Sequence, residues 1–389
     1  MNYYQAARDN FQYTVSLRRD FHQHPELGFR ETRTAGIVAN ELTKLGLDVA
    51  TSIGETGVVG LLKGEKSGPV LLLRFDMDAL PIQEETGAEY ASVYPRVMHA
   101  CGHDGHVAIG LSVAKIFAER RDQFSGQIKF VFQPGEEGLG GAERMIAAGV
   151  LENPRPDMAL AVHLWNEKPV GWYGISAGYI MAAGEIFNLR VRGIGGHGAL
   201  PHLAVDPVLA AADLVVALQS ISSRNISPLD SAVVSVTSMH GGDSFNVIPD
   251  KVALSGTIRT FSPEVRQRVL KRFQQVCNGL GEAYECQVDS EIKMLTPAVF
   301  NDATITKQVY TTANTSLPNR TIDQQYRVMV SDDMAFILGE IPGTYCFVGS
   351  ANPAKGLNAG HHHPSFDFDE EALVNAVALV SSAASSLLN

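Results

Sequence analysis

Cysteine is scarce in this chain of 389 residues: four in all, Cys101, Cys277, Cys286 and Cys346, widely scattered. Such spacing excludes a disulfide framework and makes a reducing, cytoplasmic home the expectation. Lysine and arginine are also few, 31 against 42 acidic residues, for a formal charge of −11. There is no basic run and no arginine-rich arm. A nucleic acid or an anionic membrane surface calls for basic protein surface, so neither is an expected partner. No apolar run is long enough to span a bilayer, and Met1 to Asn10 lack the apolar core of a signal peptide. Repeats and low-complexity linkers are missing too. What remains is ordinary globular composition, 45% hydrophobic and 19% charged, at a length that suits two domains.

The pattern along the chain predicts an α/β fold. Pro69 to Phe75 (PVLLLRF) is a continuous apolar run, the mark of a strand buried on both faces. Gln127 to Phe132, Met158 to Val162 and Thr344 to Val348 read as further strands, and Ile37 to Leu45 and Val107 to Arg120 as helices. The apolar stretch from Ala372 to Leu388 reads as a packed helix. Between them the rhythm changes. Glu185–Val191, Pro207–Ser222, Ala232–Ser238, Val252–Arg259, Pro263–Tyr284 and Gln287–Met294 read as β-α-β-β-α-β, the ferredoxin-like order. The expectation is a catalytic α/β domain with a mostly parallel central sheet, formed by residues 1–183 and 296–389. A smaller ferredoxin-like α+β domain, residues 184–295, interrupts it.

The densest chemistry lies in His99-Ala100-Cys101-Gly102-His103-Asp104-Gly105-His106. Thiolate, imidazole and carboxylate are the side chains that bind zinc-like divalent ions. Cys101 and His103 precede a helix, whose N-terminus favours the thiolate a metal requires. A buried cysteine in a polar turn is the plainer alternative. His99 and His106 are weaker candidates, one of them suited to orienting a ligand. Asp76-Met77-Asp78 and Glu136-Glu137 each follow an apolar strand, and His163 ends a third. Sites in open α/β sheets form beyond the carboxyl ends of strands. Neighbouring glutamates can divide the labour, one holding metal and the other taking a proton from water. Alone, each pair is as well explained by an acidic turn or a helix cap. The triplet His361-His362-His363 stands before Pro364. Gly193-Ile194-Gly195-Gly196-His197-Gly198 matches a nucleotide fingerprint but leads into Pro201 and Pro207, so it reads as a tight turn presenting His197. Arg259 can hold a carboxylate or make a surface ion pair, and Asn246 is equally open.

Several strings resemble one family: RRDFHQHPELGFRE from Arg18, FDMDALPIQEETG from Phe75, HACGHDGH from His99 and QPGEEGLGGA from Gln133. GIGGHGALPH from Gly193, NVIPD from Asn246, SGTIRTF from Ser255 and HHPSFDFDEE from His362 complete the set. The chain resembles the metal-dependent aminoacylase/carboxypeptidase superfamily, in its amidohydrolase branch, from about Leu17 to the C-terminus. The resemblance implies two divalent ions per subunit (zinc, manganese, cobalt or nickel) held by Cys101, His103, Glu137, His163 and His362. His361 and His363 stay open as alternatives to His362, which rests on an H-x-P pattern. Glu136 is implied as general base and acid, Asp78 as an orienting carboxylate and His197 as oxyanion donor. Asn246 and Arg259 are implied as substrate contacts, and the smaller domain as a dimerising lid. A homodimer or dimer of dimers follows. The chain departs from the branch at Val107, where Thr is usual, at Asn166, where Pro is common, and at Phe75, where Ala is usual. The implied reaction is hydrolysis of N-acyl amino acids. A carboxypeptidase shares the mechanism. A hydrolase using Cys101 as nucleophile, with His103 or His106 as base, and a non-catalytic binder are the more distant alternatives.

Overall fold

The computed structural model describes residues 2–389. The chain opens with α1 (Tyr3–Asp9), α2 (Phe11–Gln23) and α3 (Thr32–Lys44), then β1 (Asp48–Ile53), β2 (Gly57–Lys63) and β3 (Lys66–Asp76). After a long loop come α4 (His103–Ala118), β4 (Ser125–Gln133), α5 (Gly141–Ala147), β5 (Met158–Pro169) and β6 (Trp172–Gly174). Next are β7 (Gly178–Met181), β8 (Ala183–Arg192), β9 (Gly196–His197), α6 (Pro207–Ser220), β10 (Ala232–His240), β11 (Val247–Ile248), β12 (Lys251–Thr260), α7 (Pro263–Ala283) and β13 (Gln287–Thr296). The chain finishes with β14 (Val299–Asn301), α8 (Ala303–Ser316), β15 (Thr321–Asp323), α9 (Met334–Glu340), β16 (Gly343–Ala351) and α10 (Glu371–Leu388).

Two compact units result: residues 1–178, 300–327 and 332–389 form the first, and 179–299 with 328–331 the second. The first holds an eight-stranded sheet in the order β1-β2-β4-β3-β5-β16-β6-β15. Its central strands β4, β3, β5 and β16 run parallel, while β1, β2 and β6 add antiparallel pairs toward the edges. The apolar run in β3 is buried from Val70 to Asp76, and all of β16 is buried, as two-faced strands require. Helix α4 lies tight against this sheet at Gly110, where a Cβ would come within 2.6 Å of the Phe75 ring. Phe75 itself is 2% exposed and stacks near Phe132 at 5.5 Å. Val107 is likewise fully buried. Both of these departures from the family pattern are therefore core residues. Helix α10 has the length and composition to cross a membrane, but 78% of it is buried against the rest of this unit.

The second unit is an antiparallel four-stranded sheet, order β10-β12-β8-β13, with α6 and α7 packed on it. That is the ferredoxin-like arrangement, first strand beside last and third. Two local expectations need correction. Helix α4 begins at His103, not Val107, because Gly102 at φ 86° caps it in a left-handed turn. His163 does not end its strand, since β5 continues to Pro169 along β16. The β3 partner stops at Ala161, so His163 lies where one neighbour has run out. The segment Val328–Ser331 of the second unit was not anticipated, being too short to carry a periodic pattern.

Candidate active site and metal centre

The loops after β3 and β4, the start of α4, His163 within β5 and the loop after β16 converge in the first unit. Gly102 turns the chain so that Cys101 and His103 both offer an atom to one point; Cys101, His103 and His163 have ligand atoms within 4.8 Å of one another. A second set, Cys101, Glu137 and His362, meets the same test, as does a third, His103, Glu136 and Glu137. The Cys101 sulfur belongs to both of the first two sets.

Hydrogen bonds fix which imidazole nitrogen faces inward. His163 gives Nδ1–H to the Leu164 carbonyl at 2.6 Å, leaving Nε2 toward Cys101 Sγ at 3.5 Å. His103 gives Nδ1–H to the Asp78 carbonyl at 2.8 Å, and its buried Nε2 has no hydrogen-bond partner. His362 Nε2 lies 3.2 Å from Glu137 Oε1. The other two histidines of the triplet are engaged elsewhere. His361 Nε2 meets the Leu164 carbonyl at 3.0 Å and its ring stacks on Trp165, while His363 Nδ1 accepts from the Ser365 amide. His106 is fully used as a support, since Nε2 accepts from the Leu164 amide at 2.9 Å and Nδ1 donates to Asp76 at 2.6 Å. His99 is buried beside His22 and belongs to none of these sets. The Asp78 carboxylate supports two cluster members: Oδ1 lies 3.4 Å from His103 Nδ1, and Oδ2 accepts the Glu137 amide at 3.0 Å, fixing that backbone.

This donor set suits a divalent cation. A buried imidazole nitrogen with no partner, a thiol and a carboxylate share one space, and the His103 and His163 rings are each oriented by a hydrogen bond from Nδ1, as metal sites require. Burial pushes the Cys101 thiol up to about 12, and Glu137 adds to the effect. A thiol held so firmly in its protonated form is a poor nucleophile. Burial, with His106 and His361 nearby, keeps His163 well below the usual imidazole range, so it is neutral and free to coordinate. His103 behaves differently: burial opposes its charge, but Asp76 and Cys101 outweigh burial and raise it.

Glu136 stands against a carboxylate group that the sequence did not single out, Asp332 and Asp333, with ligand atoms within 4.8 Å. Burial, then Asp332, Glu137 and Asp333, raise its pKa well above the ordinary carboxyl value. Arg74 is the hub beneath. Its guanidinium reaches Asp76 at 2.6 Å, Asp332 at 3.3 Å and Asp333 at 2.8 Å, all of them buried. Tyr345 adds a hydrogen bond to Asp332 at 2.7 Å. Ser331-Asp332-Asp333-Met334 gave one available signal, an acidic pair at a helix start, which resembles an ordinary cap.

His197, Asn246 and Arg259 belong to the second unit. The pairing of β9 with β11 sets His197 opposite Val247, and the Gly198 amide donates to the Asn246 carbonyl at 2.8 Å. The glycine run thus feeds a two-residue strand and not a phosphate-binding helix. His197 Nδ1 accepts the Ala199 amide, so Nε2 carries the proton. His197 and Asn246 line one cleft with Arg190, Arg192 and Lys251. Arg259 is not with them. It sits opposite Gly184 at the far end of β12, eight residues from Lys251, or about 27 Å along an extended strand. Burial lowers the Arg259 pKa, and the charge of Glu185 opposes the shift only in part.

A mostly parallel sheet, an inserted ferredoxin-like unit and thiol, imidazole and carboxylate side chains gathered beside the sheet fit a metal-dependent hydrolase. Residues 72–386 match the model of peptidase family M20/M25/M40, and the chain belongs to that family. It is 37% identical to N-acetyl-L-cysteine deacetylase of Bacillus subtilis strain 168, over 96% of this chain and 88% of that one. It is 38% identical to the IAA-amino acid hydrolase ILR1-like 4 of Arabidopsis thaliana, over 98% and 87% of the two chains. A crystal structure from Bacillus subtilis, described as a dinuclear metal-binding peptidase of the M20 family, superposes with a TM-score of 0.85 at 32% identity, covering 98% of this chain and 99% of that one. The family thus supports divalent metal ions as cofactors.

Proposed function

We propose that this protein hydrolyses the amide bond between an acyl group and an amino acid, with two divalent ions held by Cys101, His103, Glu137, His163 and His362. The observation that carries this reading is the sharing of one sulfur, Cys101 Sγ, by two three-residue ligand sets, with Glu136 beside them and in neither. The names of the two relatives above, a deacetylase and an amino acid conjugate hydrolase, support an N-acyl amino acid as substrate. The peptidase designation of the family supports a dipeptide as the second reading.

Bound ions supply Lewis acidity for the amide carbonyl and lower the pKa of water. Glu136 takes the proton of the attacking water and returns it to the leaving amine nitrogen. Its raised affinity for a proton, from Asp332, Asp333 and Glu137, suits it to the second task. Asp78 keeps the Glu137 backbone and the His103 ring in register. His197, with Nε2–H exposed, donates to the oxyanion that develops at the carbonyl. Asn246 and Arg259 hold the substrate, Arg259 by its carboxylate. The separation of about 27 Å between Arg259 and the His197 end of the sheet supports a reading in which they serve different sites. A homodimer in which one protomer lends His197 and Asn246 to its partner reconciles them.

Replacing Glu136 with Gln is the test. Turnover of an N-acyl amino acid falls about a hundredfold or more, while the metal content of the purified variant stays at the wild-type value. Wild-type turnover in Glu136→Gln removes Glu136 from the role of base.

A further inference from the structure

His362 is an unusual ligand for a rigid centre. Its side chain is 52% exposed, and its backbone is left-handed at φ 63°, a region that non-glycine residues occupy only when their surroundings impose it. The neighbours of the ring therefore do not hold it; the loop must. The two stems of that loop, residues 359–367, meet at one side chain of the first unit; the Asp367 carboxylate is also held by Arg18 at 2.6 Å and Tyr90 at 2.7 Å, and the Pro364 carbonyl accepts the Glu85 amide at 2.8 Å. Asn166, in β5 and 2% exposed, donates through Nδ2 to the carbonyl of Ala359 at 2.8 Å and to the carbonyl of Asp367 at 3.0 Å. Its Oδ1 accepts from the Ser350 hydroxyl on β16 at 3.0 Å. Both N–H donors and one acceptor position of this buried amide are thus engaged, two across the loop stems and one to anchor the amide itself. Midway along the loop, the His362 amide donates to the Ala100 carbonyl at 2.8 Å, one residue before Cys101.

We propose that Asn166 is a positioning residue for the metal centre: it clips the two stems of the 359–367 loop together and so sets the His362 backbone. This rests on the reading of His362 as a ligand. Asn166 is also where this chain departs from the proline common in its branch. Proline has no side-chain donor and makes no such bridge, so the clip is a device of this sequence. Only the Cys101–Glu137–His362 set depends on it. The Cys101–His103–His163 set is built on α4 and β5 and does not.

The experiment compares wild type, Asn166→Ala, the milder Ser350→Ala, and His362→Ala by hydrogen exchange of the metal-free proteins and by titration with cobalt(II), read by visible absorption. In Asn166→Ala, exchange of the amides between 359 and 367 speeds up about tenfold or more, with the rest of the first unit unchanged. One of two cobalt ions weakens about tenfold or more, while the thiolate-to-cobalt absorption of the other persists. Ser350→Ala moves both readings the same way but less. Adding Asn166→Ala to His362→Ala weakens cobalt no further than His362→Ala alone. Unchanged exchange in the loop overturns the clip. Equal weakening of both ions, or of neither, overturns its link to His362. Wild-type protein that takes up fewer than two cobalt ions overturns the two-ion reading instead, and the exchange data still judge whether Asn166 holds the loop.

Discussion

The main-chain carbonyl of Asp78 accepts the Nδ1–H of His103 at 2.8 Å, while the carboxylate of the same residue accepts the Glu137 amide at 3.0 Å. One residue therefore orients two proposed ligands, one at the start of α4 and one in the loop after β4. Truncating it to alanine keeps the carbonyl and removes the tie to Glu137. Asp78→Ala is expected to bind metal about ten- to a hundredfold more weakly, measured by titration against a competing chelator. Affinity equal to wild type shows that Glu137 needs no such tie.

Metal uptake has a predictable pH dependence. Burial and Glu137 hold Cys101 near 12, and Asp76 and Cys101 raise His103 against the effect of burial, so both carry protons at neutral pH in the ion-free protein. Binding must displace those protons, so affinity rises with pH. The slope is about tenfold per pH unit for each proton released. Calorimetry in buffers of different ionisation enthalpy counts the protons, and a count of zero contradicts the assignment.

The carboxylates around Glu136 tune its proton affinity. Burial raises its pKa, and Asp332 is the largest charge acting in the same direction. Asp332→Asn removes that charge and lowers the pKa of Glu136. A general base works when deprotonated, so the acid limb of the kcat/KM profile moves to lower pH by about one unit. An acid limb that stays in place or moves up contradicts the coupling.

Arg74 is 1% exposed and balances three buried carboxylates. Arg74→Met leaves Asp76, Asp332 and Asp333 without their cation and is expected to cost about 3–5 kcal/mol of stability, read from chemical denaturation. A loss below about 1 kcal/mol would place the pair among weak surface bridges.

Acid stability follows from Asp104. Burial raises its pKa, but Arg18 at 2.9 Å and His22 at 2.8 Å outweigh burial and hold it well below the usual carboxylate range. A carboxyl group depressed in the folded state stabilises above its unfolded pKa and loses that contribution as pH falls. Wild-type stability should therefore fall below about pH 5, and Asp104→Asn should be less stable at pH 7 with a flatter acid limb. Parallel acid limbs in urea unfolding would show that Asp104 does not carry the effect.

Much of the fold was legible because its strands are extreme in composition. PVLLLRF allows little but a two-faced strand, and the spacing of the 184–295 region gave its six elements in order. The ligand candidates were legible for the opposite reason: Cys101 and His103 are costly residues packed together at a helix start, and the glutamate pair follows an apolar strand. Asn166 and the Asp332–Asp333 pair gave no comparable signal. An asparagine after a strand and two aspartates before a helix are common turn and cap residues, and only tertiary contacts give them work. His163 was misplaced at a strand end because the polar Asn166-Glu167-Lys168 run breaks the apolar pattern. The strand continues there because β16 still offers hydrogen bonds. The choice among His361, His362 and His363 was also hidden, since it depends on which ring faces Glu137 and which the Leu164 carbonyl.

The most direct test of the proposed chemistry is amine release from N-acetyl amino acids, hippurate and dipeptides by the purified protein, before and after exhaustive chelation and after restoring single divalent ions. The account predicts activity on N-acyl amino acids that chelation abolishes and that returns as two ions bind per chain. Full activity in protein shown to be free of metal would contradict it.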